Sequence, residues 1–331
     1  MRRSAAARSS LAALAGLGLL LTACSPQAEP SNQAAEGINV VASTNVYGDI
    51  AKTIGGDKVS VTALITKTSQ DPHSYEATAQ DRLAVSKADL VLENGGGYDG
   101  FIHTLAEDSG LDDAKVLNAV ELSGLAHAEE ETASAEATAA ASETAAGDGS
   151  AHDHGELNEH VWYSLHAMEQ LADGIAAKFG ELDPASASTF QSNASAFKSS
   201  IDELHGKLDA LKPAAAGAQV AVTEPVPLYL LEDAGLVNAT PADYTAAIEE
   251  GSDVPPAVLK AATDLVAKKS VRLLAYNSQT EGPQTESLKK AAETAGVPVV
   301  DFNETLPEGK TYLQWMTDNV DNISKVLETN S

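Results

Sequence analysis

Four of the chain's eight histidines fall within fifteen residues, 152-HDHGELNEHVWYSLH-166. Neutral imidazole binds divalent transition metals, and carboxylates beside it offset the charge of a desolvated cation. What this stretch does therefore depends on which other side chains converge with it. His160 stands where an acidic run ends and a helical pattern begins. Val161 and Trp162 next to it supply an apolar surround that would hold the ring still. His166 is six residues further on, a poor spacing for a shared helical face, and is expected to be an ordinary helix residue. His127, His152 and His154 lie in a run without apolar periodicity, so they are expected to capture metal only weakly.

Three other places carry matching chemistry. His73 lies in 71-DPHSYE-76, after a strand pattern and before a helical one, with Pro72 stiffening the backbone ahead of it. Glu224 ends the apolar strand pattern 218-AQVAVT-223. A carboxylate at the end of a buried strand is costly unless it is paired or bound to a cation. Glu304, in 302-FNET-305, follows another strand pattern, whose last turn holds Asp301. Two imidazoles and two carboxylates, His73, His160, Glu224 and either Glu304 or Asp301, make a competent zinc or manganese site. Other motifs fail on context. The run 95-GGGYDG-100 lacks the Lys-Ser/Thr of a phosphate loop, and neither H-E-x-x-H nor G-x-S-x-G occurs.

The elements that must position these residues alternate. Strand patterns 38-INVVAS-43, 58-KVSVTALI-65, 89-DLVLEN-94 and 115-KVLNAV-120 are separated by helical ones at 46–56, 76–88 and 98–110. Single helices between strands imply a mostly parallel sheet. A second series follows, with strands at 218–224, 271–277 and 297–302 and helices at 227–235, 255–270, 284–296 and 311–328. Between the two series, residues 184–211 place Phe190, Phe197, Ile201, Leu204, Leu208 and Leu211 at helical steps after the start signal Asp183-Pro184. The expected fold is α/β: two lobes, 37–183 and 212–331, with mostly parallel sheets joined by one long rigid linking helix, 184–211. Residues 121–157 form an insertion in the first lobe, rich in Ala, Glu, Thr and Ser. From 121 to 159 there are ten Asp or Glu and no Lys or Arg. That composition predicts an acidic, histidine-containing disordered loop.

The net charge of −27 makes nucleic acid and anionic lipid surfaces poor partners. At the N-terminus, Arg2, Arg3 and Arg8 precede 11-LAALAGLGLLL-21, an export signal too short to span a bilayer as a mature helix. It ends in 21-LTAC-24, which resembles a bacterial lipobox. Cys24 is the chain's only cysteine, so no internal disulfide competes for it. The expectation is a signal over 1–24, lipidation of Cys24, and a flexible tether over 25–36.

Taken together, DPHSYE, the acidic insertion, NEHVWY, TEPVPLY and 307-PEGKTYLQWMTDNVDNI-323 resemble the solute-binding lipoproteins of bacterial zinc/manganese ABC importers (cluster A-I). The resemblance runs from about residue 38 to 328. It implies that the metal is cargo, that His73, His160 and Glu224 occupy the first three ligand positions, and that Glu304 or Asp301 is the fourth. The family's fourth ligand is usually an aspartate in an F-T-D-S-like context, and 302-FNET-305 departs from it. The insertion is more like that of zinc receptors than manganese ones, so Zn2+ is expected, with Mn2+ the alternative. The implied partners are an ABC permease and its ATPase, and the implied state is a monomer on the outer face of the cell membrane. Two other readings stand beside this one. A zinc hydrolase would need one coordination position left open for water and a carboxylate base. An adhesin of the same fold would contact host or matrix molecules. Cys24→Ala is expected to release the protein from membranes, and unchanged membrane fractionation would reject the lipid anchor.

Overall fold

The structure, a computed structural model, describes residues 37–125 and 157–329, all within the unit Gly37–Ser331. The segments expected to be an export signal and a tether, Cys24, and the histidines His127, His152 and His154 lie outside the described residues.

The described residues form two four-stranded sheets, parallel throughout. In the first lobe β1 (Ile38–Thr44), β2 (Val59–Ile65), β3 (Leu90–Glu93) and β4 (Val116–Asn118) lie in the order β2-β1-β3-β4. In the second, β5 (Gln219–Val222), β6 (Val237–Asn238), β7 (Leu274–Tyr276) and β8 (Val299–Asp301) lie in the order β6-β5-β7-β8. The two lobes thus repeat one topology. In each, the strand order reverses beside the first strand, between β1 and β3 and between β5 and β7. Open α/β sheets form their ligand crevice outside the carboxyl ends of strands at such a reversal.

Successive side chains of a strand point to opposite faces, and the core divides accordingly. Val40, Ala42, Leu90, Leu92, Val220, Val222 and Ala275 enter one cluster that runs through both lobes. Their neighbours Val41 and Val91 belong to a second cluster in the first lobe, and Ala221, Leu274 and Tyr276 to a third in the second lobe. Helix α1 (Asn45–Gly55) joins the shared core, while α2 (Ala79–Val85) and α3 (Gly100–Asp108) cover the other face.

A short helix α4 (Ala119–Ser123) follows β4 directly. The segment expected to be a strand to residue 120 and a loop from 121 is therefore helical at its start. Asn118 Oδ1 accepts the Glu121 N–H at 3.0 Å and caps it, and Gly124 at φ +70° ends it. Leu122 and Leu125 pack against the core, as does Leu157 on the far side of the insertion. Gly174 on α5 (Leu165–Leu182) makes room for Leu122: a Cβ there would lie 2.9 Å from Leu122 Cδ1.

The long helix α6 spans Ala187–Ala215, about 43 Å at 1.5 Å per residue. It was expected to stop at 211, ahead of Pro213, but continues to Ala215. A proline near the last turn removes one N–H bond without ending the helix. Beyond it lie α7 (Leu228–Asp233), α8 (Ala242–Glu249), α9 (Pro256–Ala267), α10 (Pro283–Ala295) and α11 (Tyr312–Thr329). Strand β6 has only two residues, too few to show alternation, and α8 has little apolar periodicity, so neither was legible in the sequence.

Helix α11 is not confined to the second lobe. Tyr312 stacks near Phe197 of α6 at 5.9 Å between ring centres. Its hydroxyl donates to the Trp162 carbonyl at 2.7 Å, and its N–H to Asp49 of α1 at 2.7 Å. Phe197 is 2% exposed at the middle of this packing. Phe197→Ala is expected to destabilise the fold by about 3–5 kcal/mol, read as a lower denaturant midpoint at unchanged slope. A shift under about 1 kcal/mol would show that α6 is not integral to the shared core.

Candidate metal-binding site

Three of the side chains follow strands, and His160 precedes a helical turn. His73 follows β2 in a turn closed by Asp71, whose carboxylate accepts the His73 N–H at 3.0 Å and the Ser74 hydroxyl at 2.7 Å. Pro72 is buried, and the His73 side chain is 30% exposed. His160 sits just ahead of a single helical turn, Val161–Tyr163. Asn94, at the end of β3, donates to the Glu159 carbonyl at 2.9 Å and holds this segment to the first lobe. Glu224 follows β5, and Glu304 lies three residues past β8.

Three of the four expected ligands meet. One ligand atom each from His73, His160 and Glu304 lies within 4.8 Å of the others. Glu224 is outside that triad but joined to it through Asn277. The Asn277 amide donates to Glu224 Oε2 and to Glu304 Oε1, both at 2.7 Å. Thr280 also donates to Glu224, and Tyr98 to Glu304 at 3.2 Å. Asp301, the alternative fourth residue, is exposed at the end of β8, whereas Glu304 is 4% exposed. His166 is an exposed residue of α5 near Glu169.

Burial sets the protonation of the group. The His160 ring, 1% exposed, is held at about 3, first by desolvation and then by the neighbouring His73. His73 is also lowered by desolvation, against the pull of Asp71 and Asp99. Glu224 is pushed up to about 7 by desolvation, opposed by its bonds from Thr280 and Asn277. Glu304 is pushed up to about 7 by desolvation and by the charge of Glu224. At neutral pH the site therefore offers neutral imidazoles and two carboxyls poised to lose their protons.

Several contributors were not visible in the sequence. Asn277, Thr280 and Tyr98 are ordinary polar residues until the fold aims them at the carboxylates. The glycine run that failed as a phosphate loop has a structural task here. Gly95, Gly96 and Gly97 all take positive φ, and the turn is closed by Asp99, which accepts the N–H groups of Asn94 and Gly95 at 2.7 and 2.9 Å. This turn sets Tyr98 edge-on to His73, 5.0 Å between ring centres. A second grouping, Glu159, His160 and Glu249, forms because α8 brings Glu249 to the site.

Paired α/β lobes of one topology, a long connecting helix, and two imidazoles gathered with two carboxylates define a class. It is that of the substrate-binding receptors of metal ABC importers, whose task is capture and not catalysis. The chain belongs to the family described as ZnuA, zinc-uptake complex component A, periplasmic, which matches residues 40–326. It is 24% identical over 320 residues to the manganese ABC transporter substrate-binding lipoprotein scaA of Streptococcus gordonii, covering 93% of this chain and 94% of that one. The crystal structure of ZnuA shares the fold at a TM-score of 0.66 and 20% identity, over 89% of this chain and 100% of that one. The solute-binding protein FpvC of Pseudomonas aeruginosa, solved in complex with Mn2+, does so at 0.66 and 21% identity, over 89% and 100%.

His73→Ala and His160→Ala are each expected to weaken zinc binding about a hundredfold or more, roughly 2.7 kcal/mol, in a protein that stays folded. Glu304→Ala is expected to cost more affinity than Asp301→Ala. Titration of the four variants decides the matter: the reverse order of the last two would move the fourth ligand to Asp301.

Proposed function

We infer that the protein is an extracytoplasmic receptor, held at the membrane by a lipid on Cys24 and a short tether. It binds a divalent transition metal in the cleft between its lobes, zinc in preference to manganese. As a monomer it hands the ion to an ABC permease driven by its ATPase. His73, His160, Glu224 and Glu304 are the ligands in this reading. The observation that carries it is the convergence of two neutral imidazoles with a buried carboxylate, extended to a second carboxylate through Asn277.

The charge balance supports it. Two ionised carboxylates neutralise one divalent cation, so a site that resists ionisation when empty becomes neutral when filled. Four protein ligands leave no position for an activated water, which separates cargo binding from zinc hydrolysis. The preference for zinc draws on the family's description as a zinc-uptake component. A relative named for manganese and a structural neighbour solved with Mn2+ make competition between the two ions the direct test. Metal analysis of protein from metal-limited and metal-replete cells, followed by zinc–manganese competition, is expected to show zinc retained and manganese displaced. Retention of manganese against equimolar zinc would reverse the assignment.

Proton linkage gives a second test. A carboxyl at about 7 keeps its proton below that pH and has lost it above. Zinc must therefore displace protons at pH 6 but few at pH 8, while His160, at about 3, contributes none across this range. Calorimetry in buffers of different ionisation enthalpy is expected to report release of about two protons at pH 6, falling toward zero at pH 8. Glu304→Gln should lower the first value to about one. Affinity that does not change from pH 5.5 to 8 would rule out these carboxyls as ligands.

A further inference from the structure

His160 has two ring nitrogens, and only one of them can face the cation. Its Nδ1 edge is already occupied. Asn158 Oδ1 lies 2.7 Å from Nδ1 and also accepts the His160 backbone N–H at 3.2 Å. Glu249 Oε1, 3.9 Å from Nδ1, faces the same edge. Both neighbours are acceptors, so Nδ1 is the protonated nitrogen and Nε2 holds the free lone pair.

The orientation of the Asn158 amide is not arbitrary. Its Nδ2 donates to the Pro225 carbonyl at 3.0 Å. A flipped amide would set Oδ1 against that carbonyl and Nδ2 against the His160 N–H, losing both bonds. The Asn158 carbonyl, in turn, accepts the Tyr229 hydroxyl at 2.8 Å. Pro225 directly follows Glu224, and Tyr229 lies on α7, so both anchors belong to the second lobe. A single asparagine in the first lobe is thus bonded to the segment that carries the opposite ligand.

We propose that Asn158 is the positioning residue of the cleft: its amide locks the His160 tautomer with Nδ1 protonated and Nε2 open to the cation, and ties that ring across the lobes to the Glu224 segment. The proposal rests on the reading of His160 as a ligand. A hydrogen-bond acceptor that orients a ligating histidine through its far ring nitrogen commonly contributes ten- to a hundredfold in metal affinity. Glu249 faces the Nδ1 edge of the ring, and with its proton on Nδ1 that edge offers a cation no lone pair.

The test combines histidine-selective 15N NMR with zinc titration of the purified protein at pH 7. In the unsubstituted protein, the His160 signals should show a protonated Nδ1 and an unprotonated Nε2 before zinc is added, with Nε2 shifting on binding. Asn158→Ala should give a mixture of tautomers and about ten- to a hundredfold weaker zinc binding. Asn158→Asp keeps an acceptor at Oδ1 but loses the donor to Pro225. It should restore the single tautomer, which a merely structural role would not do, and it remains decisive if the alanine variant does not fold. A protonated Nε2 in the unsubstituted protein would overturn the proposal. So would an Asn158→Asp protein with mixed tautomers, or an Asn158→Ala protein with one tautomer and affinity within about twofold. His160→Ala separates the two layers of inference. If it abolishes tight zinc binding while the Asn158 variants are silent, only the role of Asn158 falls. If it leaves the titration unchanged, the ligand assignment itself falls and takes this role with it.

Discussion

Asn277 gives both protons of its amide to carboxylates that burial makes reluctant to ionise. This shared donor is the constraint around which the gathered side chains are arranged. Two like charges out of water repel each other and lose hydration. A neutral amide between them relieves part of that cost without supplying a positive charge, so the site still favours a cation. An arginine or lysine in the same place would neutralise the pair permanently and leave nothing for an ion to do. Thr280 and Tyr98 act in the same sense, as neutral donors that orient oxygen lone pairs.

The repeated topology explains how such a site can be assembled from residues far apart in sequence. Both lobes contribute through the ends of their strands: His73, Tyr98, Glu224, Asn277 and Glu304 each follow a different strand. The shared core then holds the lobes in register. Tyr163 donates to the Asn303 carbonyl at 2.8 Å. Asn45 exchanges bonds with the Leu306 backbone at 2.8 and 2.9 Å. Glu304 lies between those two anchors, which fix its segment to the first lobe. With α6 and α11 packed through the same core, these side chains are placed by rigid elements and short turns, as a preorganised site requires.

Much of this was legible in the sequence because the signals were local. Buried parallel strands read as apolar runs, the apolar steps of 184–211 marked a long helix, and helix starts and stops followed Pro and Gly. His73, His160, Glu224 and Glu304 stood out because imidazoles and carboxylates at strand ends are chemically conspicuous. The misses have equally local causes. A two-residue β6 and a weakly periodic α8 give no pattern to read, and α4 was masked by the acidic composition that begins beside it.

What the sequence by itself determined, then, is the inventory: two α/β series, a connecting helix, and a set of donors competent for a divalent metal. It left Glu304 and Asp301 both open, because a carboxylate at the last residue of a strand and one three residues further on offer the same chemistry as text. The tertiary structure gives them different surroundings, burying Glu304 against Tyr98 and Asn277 and leaving Asp301 in solvent. It also decided the parts that no spacing encodes. The pairing of Glu224 with Glu304 spans eighty positions and runs through a third residue, and the orientation of His160 depends on a carbonyl in the opposite lobe. Hydrogen bonds of this kind depend on distance and angle, and those exist only once the two lobes share a core.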